Sequence, residues 1–113
     1  MDYIKKHNDK FIEVQLGVLV FQEEDSYLAF CPALNLSTYG ESINDVKGAF
    51  DDLMTAYIED GTRMGTLEKD LLSHGWTLQI SAGKAEPPQE IDLNIPAGML
   101  RQQFNEPFRI PVH

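Results

Sequence analysis

The sequence has little cysteine and little positive charge. Cys31 is the single cysteine, so an internal disulfide is excluded, and no CxxC or Cys/His cluster indicates a zinc site. The longest mainly apolar stretch, Val14 to Phe21, is far shorter than the roughly 20 residues of a membrane-spanning helix. The opening residues, MDYIKKHNDK, are too polar for the apolar part of a signal peptide. We therefore expect a cytoplasmic protein without disulfides or a membrane segment.

The charge balance narrows the classes of partner. Nine Lys and Arg residues face eighteen Asp and Glu residues, which gives a net charge of −9. The few cations are scattered along the chain, so the surface is expected to repel nucleic-acid phosphates. An acidic domain attracts basic partners. The same charge is equally explained by solubility alone, and the sequence leaves both interpretations open.

Alternating side chains predict strands in the first part of this 113-residue chain. The run from Phe11 to Phe21 places apolar residues at every second position, which is typical of a half-buried strand. Ser26 to Cys31 and Leu34 to Gly40 show the same character, with polar residues or Pro32 between the runs. Three such runs joined by short links predict an antiparallel meander, which needs a cover on one face.

An amphipathic helix supplies that cover. Ser42 is a good N-cap with Asp45 three residues later, and an apolar stripe follows to Tyr57 at spacings of three and four. Gly61 is expected to end this helix. A second, short helix is predicted from Leu67 to His74, capped by Thr66 and stopped by Gly75.

The rest of the chain reads as one more core strand and a tail. Trp76 to Ser81 alternates and is expected to join the same sheet. Residues 82–89 read as a linker, and 90–96 alternate again. One or two helical turns are predicted for 97–104, and an edge strand or extended tail for 108–112. The fold class is therefore α+β, in the order β-β-β-α-α-β, with a domain at 1–81 and a C-terminal strand and short-helix tail at 82–113.

No set of residues suggests catalysis. His7 and His113 lie near the two ends of the sequence, and His74 suits a helix C-terminus. Cys31 is expected to be a buried structural thiol. Acidic residues lie on turns and on the polar helix face instead of converging from strand interiors. The aromatic residues Tyr27, Phe30 and Tyr39 read as core or cross-strand pairs. We therefore predict a binding protein that is not an enzyme, with no metal and no cofactor.

The stretch from Tyr27 to Leu78 resembles the N-terminal domain of the HicB family, the antitoxins of bacterial toxin–antitoxin pairs. The matching pattern is a strand followed by C-P-x-L, then Thr-x-Gly-x-Ser leading into a helix, and later HGWTL. The residues that carry the pattern are Cys31, Pro32, Leu34, Thr38, Gly40 and Ser42, with His74 to Leu78 for the later motif. The resemblance implies a partial RNase-H-like fold without nuclease carboxylates, and a small basic RNA-cleaving toxin, HicA, as partner.

Family members often add a DNA-binding domain. Residues 90–104 resemble the start of a ribbon-helix-helix, but Asn105, Pro107 and Pro111 leave no room for its second helix, which argues against DNA binding. The tail is instead expected to pack on the partner or on a second copy of the chain, and unpaired sheet edges predict a homodimer or higher oligomer. The residues predicted to contact partners are Asp51, Asp52, Glu59, Ile91, Leu93 and Ile95.

Neutralisation of a toxin is the first functional hypothesis. A homo-oligomeric accessory domain without a toxin partner is the second. A residual nuclease using Asp51 and Glu13 is the third, and only the implied topology motivates it.

Overall fold

The computed structural model describes residues 11–88 and 100–112. They form a mixed α+β fold, as the sequence predicts, with six strands and two helices. The strands are β1 (Phe11–Glu23), β2 (Ser26–Cys31), β3 (Leu36–Gly40), β4 (Thr77–Gln79), β5 (Lys84–Glu86) and β6 (Leu100–Pro111). The helices are α1 (Ile43–Met64) and α2 (Leu67–Ser73), and a short 3-10 turn covers Ile80–Ala82.

The main sheet has four antiparallel strands in the order β3-β2-β1-β6. Strands β1 to β3 form the predicted meander. Leu19 of β1 pairs with Phe30 of β2, and Phe30 pairs with Ser37 of β3. Strand β3 begins two residues later than predicted, because Leu34 and Asn35 form a turn in which Asn35 has φ 54°.

Alternation in β1 separates two faces of this sheet. Leu16, Val18 and Val20 are buried beneath the helices, and residues at odd positions point to the other side. The same inner face receives Ala29 and Cys31 from β2, and Phe108 and Ile110 from β6. The predicted half-buried first strand and the buried Cys31 are therefore confirmed.

Helix α1 begins as predicted but ends one turn later. The Ser42 side chain accepts a hydrogen bond from the Asp45 backbone N–H at 3.0 Å, and Val46, Phe50 and Met54 are buried. The prediction that Gly61 ends the helix is wrong. Gly65 ends it with φ 70°, while the N–H of Thr66 donates to the Gly61 carbonyl at 2.9 Å. A Cβ on Gly61 would lie 3.1 Å from the Leu67 Cβ, so this glycine serves helix packing instead.

Helix α2 follows at once and is stopped by Gly75, as predicted. Thr66 occupies its N-cap position, but its side chain makes no capping hydrogen bond. Thr66 has a helical backbone instead of the extended one that is typical of a capping residue. His74 is the C-cap residue, and Gly75 adopts φ 91°.

The strand predicted after α2 does not join the main sheet. Strand β4 pairs with β5 in a separate two-stranded sheet, with Leu78 opposite Ala85. The 3-10 turn and Gly83, with φ 69°, reverse the chain inside the predicted linker, which therefore contains a strand at its centre. The free edge of β1 is taken by β6 instead.

Strand β6 contradicts the helical turns predicted for residues 97–104, of which 100–104 are described. These residues are extended and pair with β1, Phe104 opposite Val18 and Gln102 opposite Val20. Apolar residues recur at every second position from Phe104 to Ile110, apart from Glu106, and this period of two favours a strand over a helix. The edge strand predicted for 108–112 is confirmed and forms the end of β6.

Aromatic side chains join the layers of the core. Phe108 lies 5.5 Å from Trp76 and 6.2 Å from Tyr57, between ring centroids. The Trp76 indole N–H donates to the Ala33 carbonyl at 2.8 Å, so its polar group is satisfied. The predicted tail thus contributes to the same core as the meander and the helices.

Candidate interaction surfaces

The exposed side of α1 carries a line of carboxylates, which we call the acidic stripe. It consists of Asp45, Asp52 and Glu59, which follow one another at intervals of seven residues and are all exposed. Since an α-helix turns once every 3.6 residues, this spacing returns each side chain to nearly the same side. At 1.5 Å per residue, the stripe extends over about 21 Å of helix surface.

Few cations offset this charge. Helices α1 and α2 together carry seven acidic and three basic residues. Arg63 is paired with Asp60 at 2.9 Å, and the Lys47 ammonium lies 5.3 Å from the centroid of the Phe104 ring. The surface of the helix layer is therefore net negative, and it can attract basic groups over a distance of about a Debye length.

Neighbouring aspartates on α1 point in different directions. Asp51 and Asp52 are both predicted partner contacts, but successive residues lie about 100° apart around a helix. Asp52 belongs to the acidic stripe with Glu59, whereas Asp51 faces Glu106 of β6. Of the three predicted contact residues on α1, Asp52 and Glu59 therefore lie on the same side of the helix, and Asp51 lies on another.

Asp51 and Glu106 form a carboxyl pair between α1 and β6. Glu106 is only 9% exposed and lies on the inner face, opposite Leu16 of β1. Burial, followed by the hydrogen bond to Asp51 and the negative charge of Asp51, raises the pKa of Glu106 to about 7. A small cavity of about 200 Å³ adjoins the pair and is lined also by Met54, Thr55 and Ile58.

This pair is arranged to hold a proton. Protonated Glu106 can donate a hydrogen bond to the Asp51 carboxylate, whereas ionised Glu106 places two negative charges next to each other. Because the carboxyl joins strand β6 to helix α1, the docking of β6 is expected to weaken as Glu106 ionises. Asp51 therefore takes part in the packing of β6 and does not have the same surroundings as the acidic stripe.

Another group of polar side chains fixes α2 against α1. The Tyr57 hydroxyl donates to the Asp70 carboxylate, and His74 Nδ1 lies 2.8 Å from the Asp70 backbone oxygen. Burial and the neighbouring Asp70 raise the pKa of Tyr57, which keeps the phenol protonated. Burial also raises the pKa of the Cys31 thiol, so it is held in its unreactive form. Each of these groups has a structural partner or is enclosed.

The carboxylates that the nuclease hypothesis requires do not meet. Glu13 lies on the outer side of the sheet and pairs with Arg109 at 2.9 Å, while Asp51 lies on the helix side. Within residues 11–88 and 100–112, no three His, Cys, Asp or Glu side chains are grouped so that they could hold a metal ion. Glu13 and Asp51 therefore do not share a site in the part of the chain that the structure describes.

The outer side of the main sheet carries an apolar cluster, which we call the open face. Leu19 pairs with Phe30, and Phe21 pairs with Leu28, so these four side chains share this side of β1 and β2. Tyr39 opposite Leu28 and Leu100 opposite Phe21 extend the cluster to both edge strands. Tyr39 is 58% exposed, and the other five remain partly exposed.

The sequence contained a signal for the open face. In VLVF and YLAF the apolar residues are continuous, so both sides of β1 and β2 are apolar there, whereas the alternation of β1 accounts for one apolar side only. Glu106 had a weaker signal, since it falls on the same side of the strand as Phe104 and Phe108. The predicted contacts Ile91, Leu93 and Ile95 lie outside the described residues.

No protein-family model, no curated protein and no solved structure matches the chain. Neither described helix has both the length and the apolar character that crossing a membrane requires.

Proposed function

We propose that this chain is a non-catalytic, antitoxin-like protein that neutralises a small basic RNA-cleaving toxin by direct contact. The acidic stripe is the observation that carries the proposal. Its three exposed carboxylates lie along a single 22-residue helix that packs on the sheet through Val46, Phe50 and Met54. A row of like charges attracts a basic partner, and this long-range attraction raises the rate constant of association.

The HicB resemblance supports the kind of partner. Several residues of the matching pattern support this fold: Cys31 is buried, Gly40 lies against Val46, and Ser42 caps α1. In this chain the HicB-like pattern therefore occurs in a sheet that is covered by α1, and the polar side of α1 faces solvent. The proposed compartment is the cytoplasm, which suits a single unpaired thiol.

Co-expression with a toxin is the direct test. The chain is produced with the small basic protein encoded beside its gene, and RNA cleavage and cell growth are measured. We expect a stable complex, blocked RNA cleavage and restored growth. The double variant Asp52→Asn/Glu59→Gln should bind more weakly by about ten- to a hundredfold, since each exposed interfacial charge contributes of the order of 1 kcal/mol.

A matched control removes the same charge elsewhere. Glu24→Gln/Asp25→Asn lies on the β1–β2 turn, away from α1, and should leave binding nearly unchanged. An equal loss of binding affinity in both double variants would mean that the total charge of the protein, and not the acidic stripe, drives the contact. Absence of any complex with a basic neighbour would end the proposal.

A further inference from the structure

We propose that the open face is a self-association surface on which a second copy of this chain packs, sheet against sheet. Both helices and the small sheet lie on the inner side, with Leu78, Ile80 and Ala85 packed against the core. In the part of the chain that the structure describes, no element covers the open face. A contiguous apolar cluster of this kind on a small protein marks a contact site.

Charge indicates that the occupant is another copy of the chain. The protein has a net charge of −9, so two copies repel each other through most of their surfaces. The six side chains of the open face are uncharged, and the nearest acidic residue of β1 on that side is Glu23 at the hairpin. A basic partner would be drawn to the acidic stripe, whereas the open face lets two acidic copies approach.

The sheet edges favour packing through this face over pairing of strands. Strand β6 is one edge, and Pro107 and Pro111 lack the N–H that a further strand would need. Strand β3 is the other edge and has only five residues. Both features are typical of edges that resist strand addition. We therefore propose that the predicted dimer forms through the open face instead of through the unpaired edges.

Two open faces can fit together as a small sandwich. Sheets that pack face to face lie about 10 Å apart with their strands rotated by roughly 30°. Leu19 and Phe30, paired across β1 and β2, would lie near the centre of such a contact, with Tyr39 toward its edge. The surface is limited in extent, so we expect a dimer that dissociates on dilution.

Sedimentation and light scattering across the micromolar range test this proposal. The 12.8-kDa chain should approach twice its mass as concentration rises. Leu19→Glu should raise the dissociation constant by roughly a hundredfold or more, because an unpaired charge would be buried in the contact. The matched control Leu72→Glu changes a 55% exposed leucine on α2 and should leave the dimer intact.

Mixing opposite charges separates a lost contact from a lost fold. Leu19→Glu and Leu19→Lys should each be monomeric yet keep the circular dichroism spectrum of the unmodified protein. Their mixture should recover the dimer. The proposal is wrong if the unmodified protein stays monomeric at every concentration, or if Leu72→Glu dissociates the dimer as strongly as Leu19→Glu. Asp52→Asn/Glu59→Gln should leave the dimer unchanged, so the result is independent of the proposed toxin contact.

Discussion

The helix layer and the open face present chemically different surfaces to solvent. Half of the exposed positions of α1 and α2 are charged, and these charges are mainly acidic, whereas the centre of the open face is apolar and uncharged. The two surfaces lie on opposite sides of one sheet and share no side chain. A partner that binds through charge and a partner that binds through apolar burial would therefore not compete for the same residues.

Apolar residues on the two sides of the sheet also contribute differently to the free energy of unfolding. Apolar residues beneath the helices are removed from water within one chain, so they stabilise the fold at every protein concentration. Residues of the open face keep part of their surface in water, and they can be buried fully only by association. Identical residue types on the two sides of the sheet should then respond very differently to substitution.

Two phenylalanines give the largest contrast. Phe108 is fully buried between Trp76 and Tyr57, so Phe108→Ala should lower the free energy of unfolding by about 3–5 kcal/mol. Phe30 lies on the open face, and Phe30→Ala should cost about 1 kcal/mol in dilute, monomeric protein. Urea unfolding at low concentration measures both. Equal losses would show that the open face is as enclosed as the core.

The junction between sheet and helix layer should be nearly as sensitive. A Cβ on Gly40 would lie 2.6 Å from the backbone nitrogen of Val46, where β3 passes the first turn of α1. Gly40→Ala is therefore expected to cost about 2–3 kcal/mol, because backbone must shift to admit the methyl group.

Gly48 provides the control for that substitution. It lies on α1, and a Cβ added there would meet no neighbouring element within 4 Å, so Gly48→Ala should stabilise the protein by up to about 1 kcal/mol. Thermal unfolding of the two variants compares them directly. A neutral Gly40→Ala would contradict the close approach of the two layers.

Glu106 of β6, which faces Asp51 of α1, should make the stability of the protein depend on pH. The pKa of Glu106 is raised from 4.5 to about 7, so the folded state holds a proton that the unfolded state releases. The stabilisation from this group is complete below pH 4.5 and is lost as pH rises to about 7. The loss should amount to about 3 kcal/mol, since each pKa unit corresponds to about 1.4 kcal/mol.

Glu106→Gln should remove this loss, because the amide stays neutral and can still donate to Asp51. Unfolding measured below pH 4.5 and again above pH 7 tests the prediction, with the exposed Glu68→Gln as control. Persistence of the same pH dependence in Glu106→Gln would place its origin in other residues.

Local patterns predicted the first half of the fold better than the second. The alternation of β1, the Ser42 cap and the stop at Gly75 depend on neighbouring residues, so the sequence alone was enough to predict them. The continuation of α1 past Gly61 places this glycine against Leu67 of α2, and β6 depends on a partner strand about 90 residues away. Asp52 and Glu59 could be placed on one helix face, but the pairing of Asp51 with Glu106 required the position of β6.

The smallest expected effect is on the acidic stripe itself. Asp52 and Glu59 are exposed and lie one above the other on α1, so Asp52→Asn/Glu59→Gln should change the free energy of unfolding by no more than about 0.5 kcal/mol. Any change should be stabilising at low salt, since the substitution removes like-charge repulsion, and it should fade as salt increases. Urea unfolding at two salt concentrations measures both expectations. A large loss of stability would mean that these carboxylates support the fold. The exposed side of α1 would then serve folding as well as binding, unlike the surface proposed here.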